Sequence, residues 1–308
     1  MRPPGGREGM RDPGVCGGMD GGRVVIGIHG LANKPPEEEK ARWWKAAIRE
    51  GLARNAAAPG RDFDFDFVYW ADLRHETPLD DARNREPYYV AEGLGAFPRH
   101  DPDRDARRTS LTGRLYRGVG HLQAMAGLTP LDDLLLEYRL DDLWNYHQDA
   151  GFRNTARARL IDALERNAGR RILLVAHSMG SIIAYDCLRI LERRPERLAV
   201  EHLVTLGAPL GLVEVKAAIA AEHGEVRVPD TLGAWSNLAD PADVATVAAR
   251  LGAEFAPSGR GVVAVDVPVL NGYCRPDGEA NHHKSYGYLR TPELSDVVTA
   301  FLGAPVDA

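Results

Sequence analysis

Ile172-Leu173-Leu174-Val175-Ala176 is apolar without a break, and His177-Ser178-Met179-Gly180 follows it directly. Ile182, Ile183, Tyr185, Leu188 and Leu191 then recur at helical spacing. A continuous apolar run of this length reads as a strand buried on both faces. Passing from such a strand into a helix through one serine takes a sharp turn. Ala176 and Gly180, two residues to either side, keep the side chains small enough for strand and helix to approach closely. The serine then sits in a strained conformation with its hydroxyl clear of the sheet. A chance capping serine at a helix start is the bland alternative.

The rest of the chain repeats the alternation. Val24 to Ile28 is a second buried strand, ending at His29-Gly30. Pro35-Pro36 and Glu37-Glu38-Glu39 mark a helix start, with carboxylates at the positive end of the helix dipole. Phe63, Phe65, Phe67 and Tyr69 alternate with Asp64, Asp66 and Val68 as one strand. Asp142 to Asn167 has a helix pattern, Leu203 to Leu206 and Val262 to Val267 read as strands, and Pro292 to Leu302 as a closing helix. Strands alternating with helices predict an α/β protein, with a mostly parallel sheet flanked by helices on both faces.

Between Leu73 and Asp133 the regular pattern weakens into prolines, charges and aromatics, so residues 73–133 are expected to be an insertion. Leu111, Leu115, Tyr116, Val119, Leu122, Met125 and Leu128 could form an apolar cap or mobile lid over a site, or simply the insertion's own core. Residues 1–22 are rich in Gly, Pro and Arg, and are expected to be a disordered tail rather than a signal peptide. Residues 23–308 would then form one domain. The three cysteines are far apart, which argues against a disulfide framework. A net charge of -6 gives no electrostatic reason to expect nucleic acid. No apolar run is long enough to span a bilayer. A cytoplasmic protein without stable membrane insertion is expected, of unassigned oligomeric state.

Serine is a weak nucleophile and needs a base, and the base needs an orienting acid. After a strand–Ser–helix turn the expected chain order is Ser, then Asp or Glu, then His. Asp240, in Asn237-Leu238-Ala239-Asp240-Pro241, is the first choice of acid and Asp243 the second. Asp266 lies within a strand pattern, a poor place for a loop acid. The histidines beyond Asp240 are His282 and His283, so the base is one of these two. Oxyanion donors are expected from the backbone N–H groups of Met179 and of Leu31 in Ile28-His29-Gly30-Leu31, where Gly30 permits an unusual turn. His29, Gly30, His177 and Gly180 would support the site. A zinc site from His29, His282 and His283 has no helical His-x-x-x-His or cysteine pairing behind it. No metal or cofactor is expected, and no Gly-x-Gly-x-x-Gly follows a strand.

The segments Ile26 to Leu31, Val175 to Ser181 and Leu206-Gly207-Ala208-Pro209 resemble the serine esterases and lipases of the α/β-hydrolase fold, closest to the PGAP1-like and bacterial lipase-like branch. Asn237 to Pro241 is similar to that branch's Asn-x-x-Asp-Pro motif, which implies Asp240 as the acid. His283-Lys284-Ser285-Tyr286 is similar to its His-x-x-Tyr motif, which implies His283 as the base. The elbow departs from the family pattern in starting with Ala176 rather than glycine. The resemblance covers about residues 23 to 302 and leaves the insertion unmatched. It implies a serine hydrolase that cleaves a small or lipid-like (thio)ester through an acyl-enzyme. An acyltransferase with the same triad and a non-catalytic binding protein on this fold are the alternatives.

Overall fold

The computed structural model describes residues 22–56, 61–105, 141–195, 198–246 and 250–303. The tail assigned to residues 1–22 lies outside these but for Gly22. So do the apolar side chains proposed for the cap between Leu111 and Leu128.

Among the described residues, six strands form one sheet: β1 (Arg23–Ile28), β2 (Phe65–Val68), β3 (Arg171–His177), β4 (Val200–Leu206), β5 (Leu232–Ala239) and β6 (Ala264–Pro268). Their order is β2-β1-β3-β4-β5-β6, and every neighbouring pair is parallel. The helices are α1 (Glu37–Asn55), α2 (Asp141–Gln148), α3 (Ala150–Arg166), α4 (Met179–Leu191), α5 (Val213–His223), α6 (Ser285–Leu289) and α7 (Pro292–Leu302), with single-turn helices at Pro102–Asp105 and Leu251–Glu254. This is the α/β class with a parallel sheet that the sequence predicts.

The continuous apolar strands follow from burial on both sides. Val24, Ile26, Ile28, Ile172, Leu174 and Ala176 pack in one core with α3 and α4. Val25, Leu173 and Val175 face the other way, into a second core with Trp44 and Ile48 of α1 and Leu294 and Val298 of α7. Period-2 alternation thus separates two apolar faces instead of an apolar from a polar one.

Several sequence-based bounds shift. The helix pattern from 142 to 167 is two helices, broken where the Asp149 side chain caps α3 by accepting from Phe152 N–H. Asn237 and Leu238, read only as part of the segment leading to Asp240-Pro241, belong to the eight-residue strand β5. Helices α5 and α6 escaped the pattern; α5 buries only Val215, Ile219 and His223.

The strand order places a site. The chain leaves β1 on one side to form β2 and returns on the other side as β3. Ligand crevices in such sheets open at the carboxyl ends of the strands where this reversal occurs. Here those ends are Ile28, paired with Ala176 one strand over, so His29-Gly30 and His177-Ser178 emerge side by side.

Candidate functional site

Ser178 joins β3 to α4 with φ 54° and ψ −128°. A non-glycine residue there stores on the order of 1–3 kcal/mol of backbone strain. The turn is over-determined by its surroundings. Ser178 N–H donates to Leu206 O at 2.9 Å, Ser181 N–H donates back to Ser178 O at 2.8 Å, and Ser181 Oγ donates to Ala176 O at 3.0 Å. Gly180 lies so close to β1 that a Cβ there would stand 2.6 Å from His29 O. Gly30 is as tightly placed: its Cβ would fall 2.6 Å from the Ser178 Cβ. The two glycines therefore let the β1 loop, the serine and α4 share one small volume.

Ser178 Oγ donates to His283 Nε2 at 2.9 Å, and His283 Nδ1 donates to Asp243 Oδ2 at 2.8 Å and approaches Oδ1 at 3.0 Å. Ser178, His283 and Asp243 thus form one chain of hydrogen bonds. Asp243 is buried and also accepts from Tyr288 Oη at 2.7 Å and Ala245 N–H at 3.0 Å.

The first-choice acid is therefore corrected: Asp240 does not reach His283. Its Oδ1 accepts from Ala242 N–H at 2.8 Å and its Oδ2 from Asn271 N–H at 2.7 Å. The imidazole beside it is that of His282, at 3.6 Å. Asn271 in turn donates through Nδ2 to His282 O at 2.8 Å and Lys284 O at 2.9 Å, so Asp240 steadies the backbone that carries His283. His282 points along this scaffold, with Nδ1 3.3 Å from Asn271 O. Asp266 stays in β6 and is used up by Asn237 Nδ2 and by the Leu251 and Gly252 N–H groups.

Two further histidines brace the site. His177 Nε2 donates to His283 O at 2.7 Å. His29 is fully buried and stacked on Trp70 with ring centroids 4.8 Å apart. Its Nε2 accepts from Trp70 N–H at 3.0 Å, so the proton is on Nδ1, which donates to Gly30 O at 2.7 Å. Burial, with Lys34 and Lys40 nearby, holds His29 well below the usual histidine range. Burial and the His283 ring do the same to His177. Both are neutral at pH 7. Across a trans peptide, a Gly30 carbonyl held on His29 leaves Leu31 N–H on the opposite side. Met179 opens α4, where a backbone N–H has no carbonyl one turn back.

A cavity of about 430 Å³ lies over Ser178 and His283. Its apolar lining is Leu31, Ala32 and Leu79; most of the remainder is charged or amide-bearing, including Lys34, Lys40, Glu86 and Lys284. Leu79 and Glu86 come from the described part of the insertion, so that segment walls the site. Sequence reasoning missed Asn271, Tyr288 and Lys40. Lys40 carried a signal: it falls on the same helical stripe as Trp44, Ala47 and Ile48, where a charge is out of place.

Among the described residues, Asp186, Glu222 and His223 converge as metal-type ligands. Arg157 already occupies that cluster, donating to Asp186 at 2.6 Å and Glu222 at 2.5 and 2.7 Å, so it reads as a buried ion network. No helix among the described residues is long and apolar enough to cross a membrane.

A family model described as "Protein of unknown function (DUF726)" matches residues 120–222. No curated protein matches the chain. Among solved structures, the chain is similar to a crystal structure from Agrobacterium vitis S4 described as "Putative hydrolase", at 16% identity. That likeness covers 48% of this chain and 69% of the other with a TM-score of 0.28, so the fold assignment rests on the sheet itself.

Proposed function

We propose that the protein is a serine hydrolase that cleaves a carboxylic ester or thioester through an acyl-enzyme. The observation that carries this reading is the continuous hydrogen-bonded chain from Ser178 Oγ through His283 to Asp243, on a serine with φ 54°. His283 takes the proton as Ser178 attacks the carbonyl, and returns it to the leaving group. Asp243 keeps the His283 proton on Nδ1 and stabilises the ring once it is charged. Met179 N–H and Leu31 N–H hold the developing oxyanion. Water activated by His283 then releases the acid.

The strain at Ser178 supports the reading. A structural serine at this junction would relax to an ordinary capping conformation, whereas a nucleophile gains from having its hydroxyl held clear of the sheet.

Labelling with a fluorophosphonate probe tests it. Stoichiometric labelling that survives His282→Ala but disappears in Ser178→Ala and His283→Ala is the expected result. A folded wild type that takes no label and hydrolyses no activated ester would overturn the proposal in favour of a binding protein. Product analysis with an added alcohol or amine distinguishes hydrolysis from acyl transfer.

A further inference from the structure

The walls of the cavity over Ser178 are unbalanced in charge. Among the described residues, six cations line it (Lys34, Lys40, Arg83, Arg85, Arg275 and Lys284) against the one carboxylate of Glu86. Glu86 is consumed, accepting from Lys284 Nζ at 2.8 Å, Arg275 Nε at 2.9 Å and Asn281 Nδ2 at 2.7 Å. Burial works to raise its carboxyl, but the Lys284 charge and these hydrogen bonds outweigh it and hold the pKa at about 2, so it is ionised and already matched. Arg83 has Asp80 at 3.0 Å, outside the cavity lining. Lys34 turns its ammonium onto the carbonyls of Leu31, Ala32 and Asn33.

Lys40 is different. It is 2% exposed, and its Nζ donates to the neutral hydroxyl of Tyr286 at 2.9 Å, lying 4.3 Å from that ring's centre. Among the described residues no carboxylate lies within ion-pair distance of it. Burial, followed by repulsion from Lys284 and Lys34, pushes its ammonium well below the ordinary lysine range. Burying an ammonium without a counter-charge costs several kcal/mol. A fold tolerates this where a ligand supplies the missing charge, and this lysine borders the cavity that holds the nucleophile.

Given the serine-hydrolase reading, we infer that the substrate is an anionic ester, whose carboxylate or phosphate group sits against Lys40 and Lys284 while Ser178 attacks its carbonyl. Glutarate-sized esters suit the cavity of about 430 Å³, whose described lining offers an ammonium to an acyl group that ends in an anion.

The test compares two activated esters of equal acyl length, the 4-nitrophenyl monoester of glutarate and 4-nitrophenyl valerate. The glutaryl ester should have a kcat/KM about tenfold higher or more at low ionic strength. The ratio should shrink as salt is added and fall towards one in Lys40→Met. The salt series uses the wild type alone and decides the matter even if the variant fails to fold. Glutarate and inorganic phosphate as competitive inhibitors distinguish the two anions; inhibition by neither overturns the inference. Equal or faster turnover of the valerate ester, with Ser178 still labelled by fluorophosphonate, overturns the anionic substrate and leaves the hydrolase standing. If neither ester turns over, calorimetric titration with glutarate and phosphate decides: saturable binding lost in Lys40→Met supports the anion site, and no binding ends it.

Discussion

His283 Nδ1 stands 2.8 Å from Asp243 Oδ2, and Asp240, only three residues earlier, faces His282 at 3.6 Å instead. The two aspartates share one turn after β5 but meet different histidines. Asp243→Asn should leave the hydrogen-bond geometry nearly intact while favouring the wrong tautomer of His283, and kcat should fall by about 10³–10⁴. Asp240→Asn keeps the acceptor oxygen for Ala242 or Asn271 but not both charge-assisted bonds, so it should cost stability by about 1–3 kcal/mol and kcat by far less. Steady-state kinetics and urea denaturation of both variants separate the roles. A larger kcat loss in Asp240→Asn would exchange them.

That turn also marks where the sequence stops being legible. Strands β1 and β3 were readable because, past their first residues, burial on both faces leaves almost no polar positions, and Ser178 because its junction needs Ala176 and Gly180. His283 was reachable from its place after the last strand and from the motif resemblance. The acid was not. Asp-Pro is turn chemistry, and a turn aims carboxylates three residues apart in different directions that no pattern records. Asp240 is drawn off by two backbone N–H groups, and Asp243 is aimed by Tyr288 Oη at 2.7 Å, contacts set by tertiary packing of α6. Lys40 was legible in principle, as a cation on the buried stripe of α1, and a search for misplaced charges would have found it.

Gly30 is required by space. Its Cβ would fall 2.6 Å from Ser178 Cβ and 2.9 Å from His177 Nδ1. Gly30→Ala must push the β1 loop away from the serine, and Leu31 N–H with it. A stability loss of about 1–3 kcal/mol is expected from overpacking. A fall in kcat of about 10²–10³ is expected from losing one oxyanion donor. Measuring both under conditions where the variant is folded tests the pairing; a variant with wild-type kcat would remove Leu31 from the oxyanion hole.

His29 acts at one remove, by holding the Gly30 carbonyl at 2.7 Å. His29→Phe preserves the stack on Trp70 but drops this bond and the one from Trp70 N–H. The orphaned Trp70 N–H should cost about 1–3 kcal/mol. A purely structural role would stop there. A positioning role predicts a kcat lower by about tenfold or more with KM nearly unchanged, because only the charge developing at the oxyanion senses Leu31 N–H.

Stability should depend on pH in two separate windows. His29 and His177 are held neutral by burial, so the unfolded chain binds more protons than the folded one below its own histidine pKa of about 6.5. Stability is therefore complete above that value and declines as pH falls. The slope reaches at most about 1.4 kcal/mol per pH unit for each histidine. His147 and His202 are shifted in the same direction by burial and add to the decline. Glu86 acts lower down. Its folded pKa of about 2 lies below the ordinary 4.5, so its contribution is present above that ordinary value and is lost as pH falls towards 2. Urea midpoints between about pH 8 and pH 3 should trace both windows. His29→Phe should reduce the upper slope by one histidine's share, and Glu86→Gln should reduce the lower slope by one carboxylate's share without touching the upper one, since Asp72, Asp186 and Glu222 are also held low. A wild-type midpoint that stays level between about pH 7.5 and pH 5.5 would mean that these histidines are not held neutral, and that His29 Nε2 does not accept from Trp70 N–H.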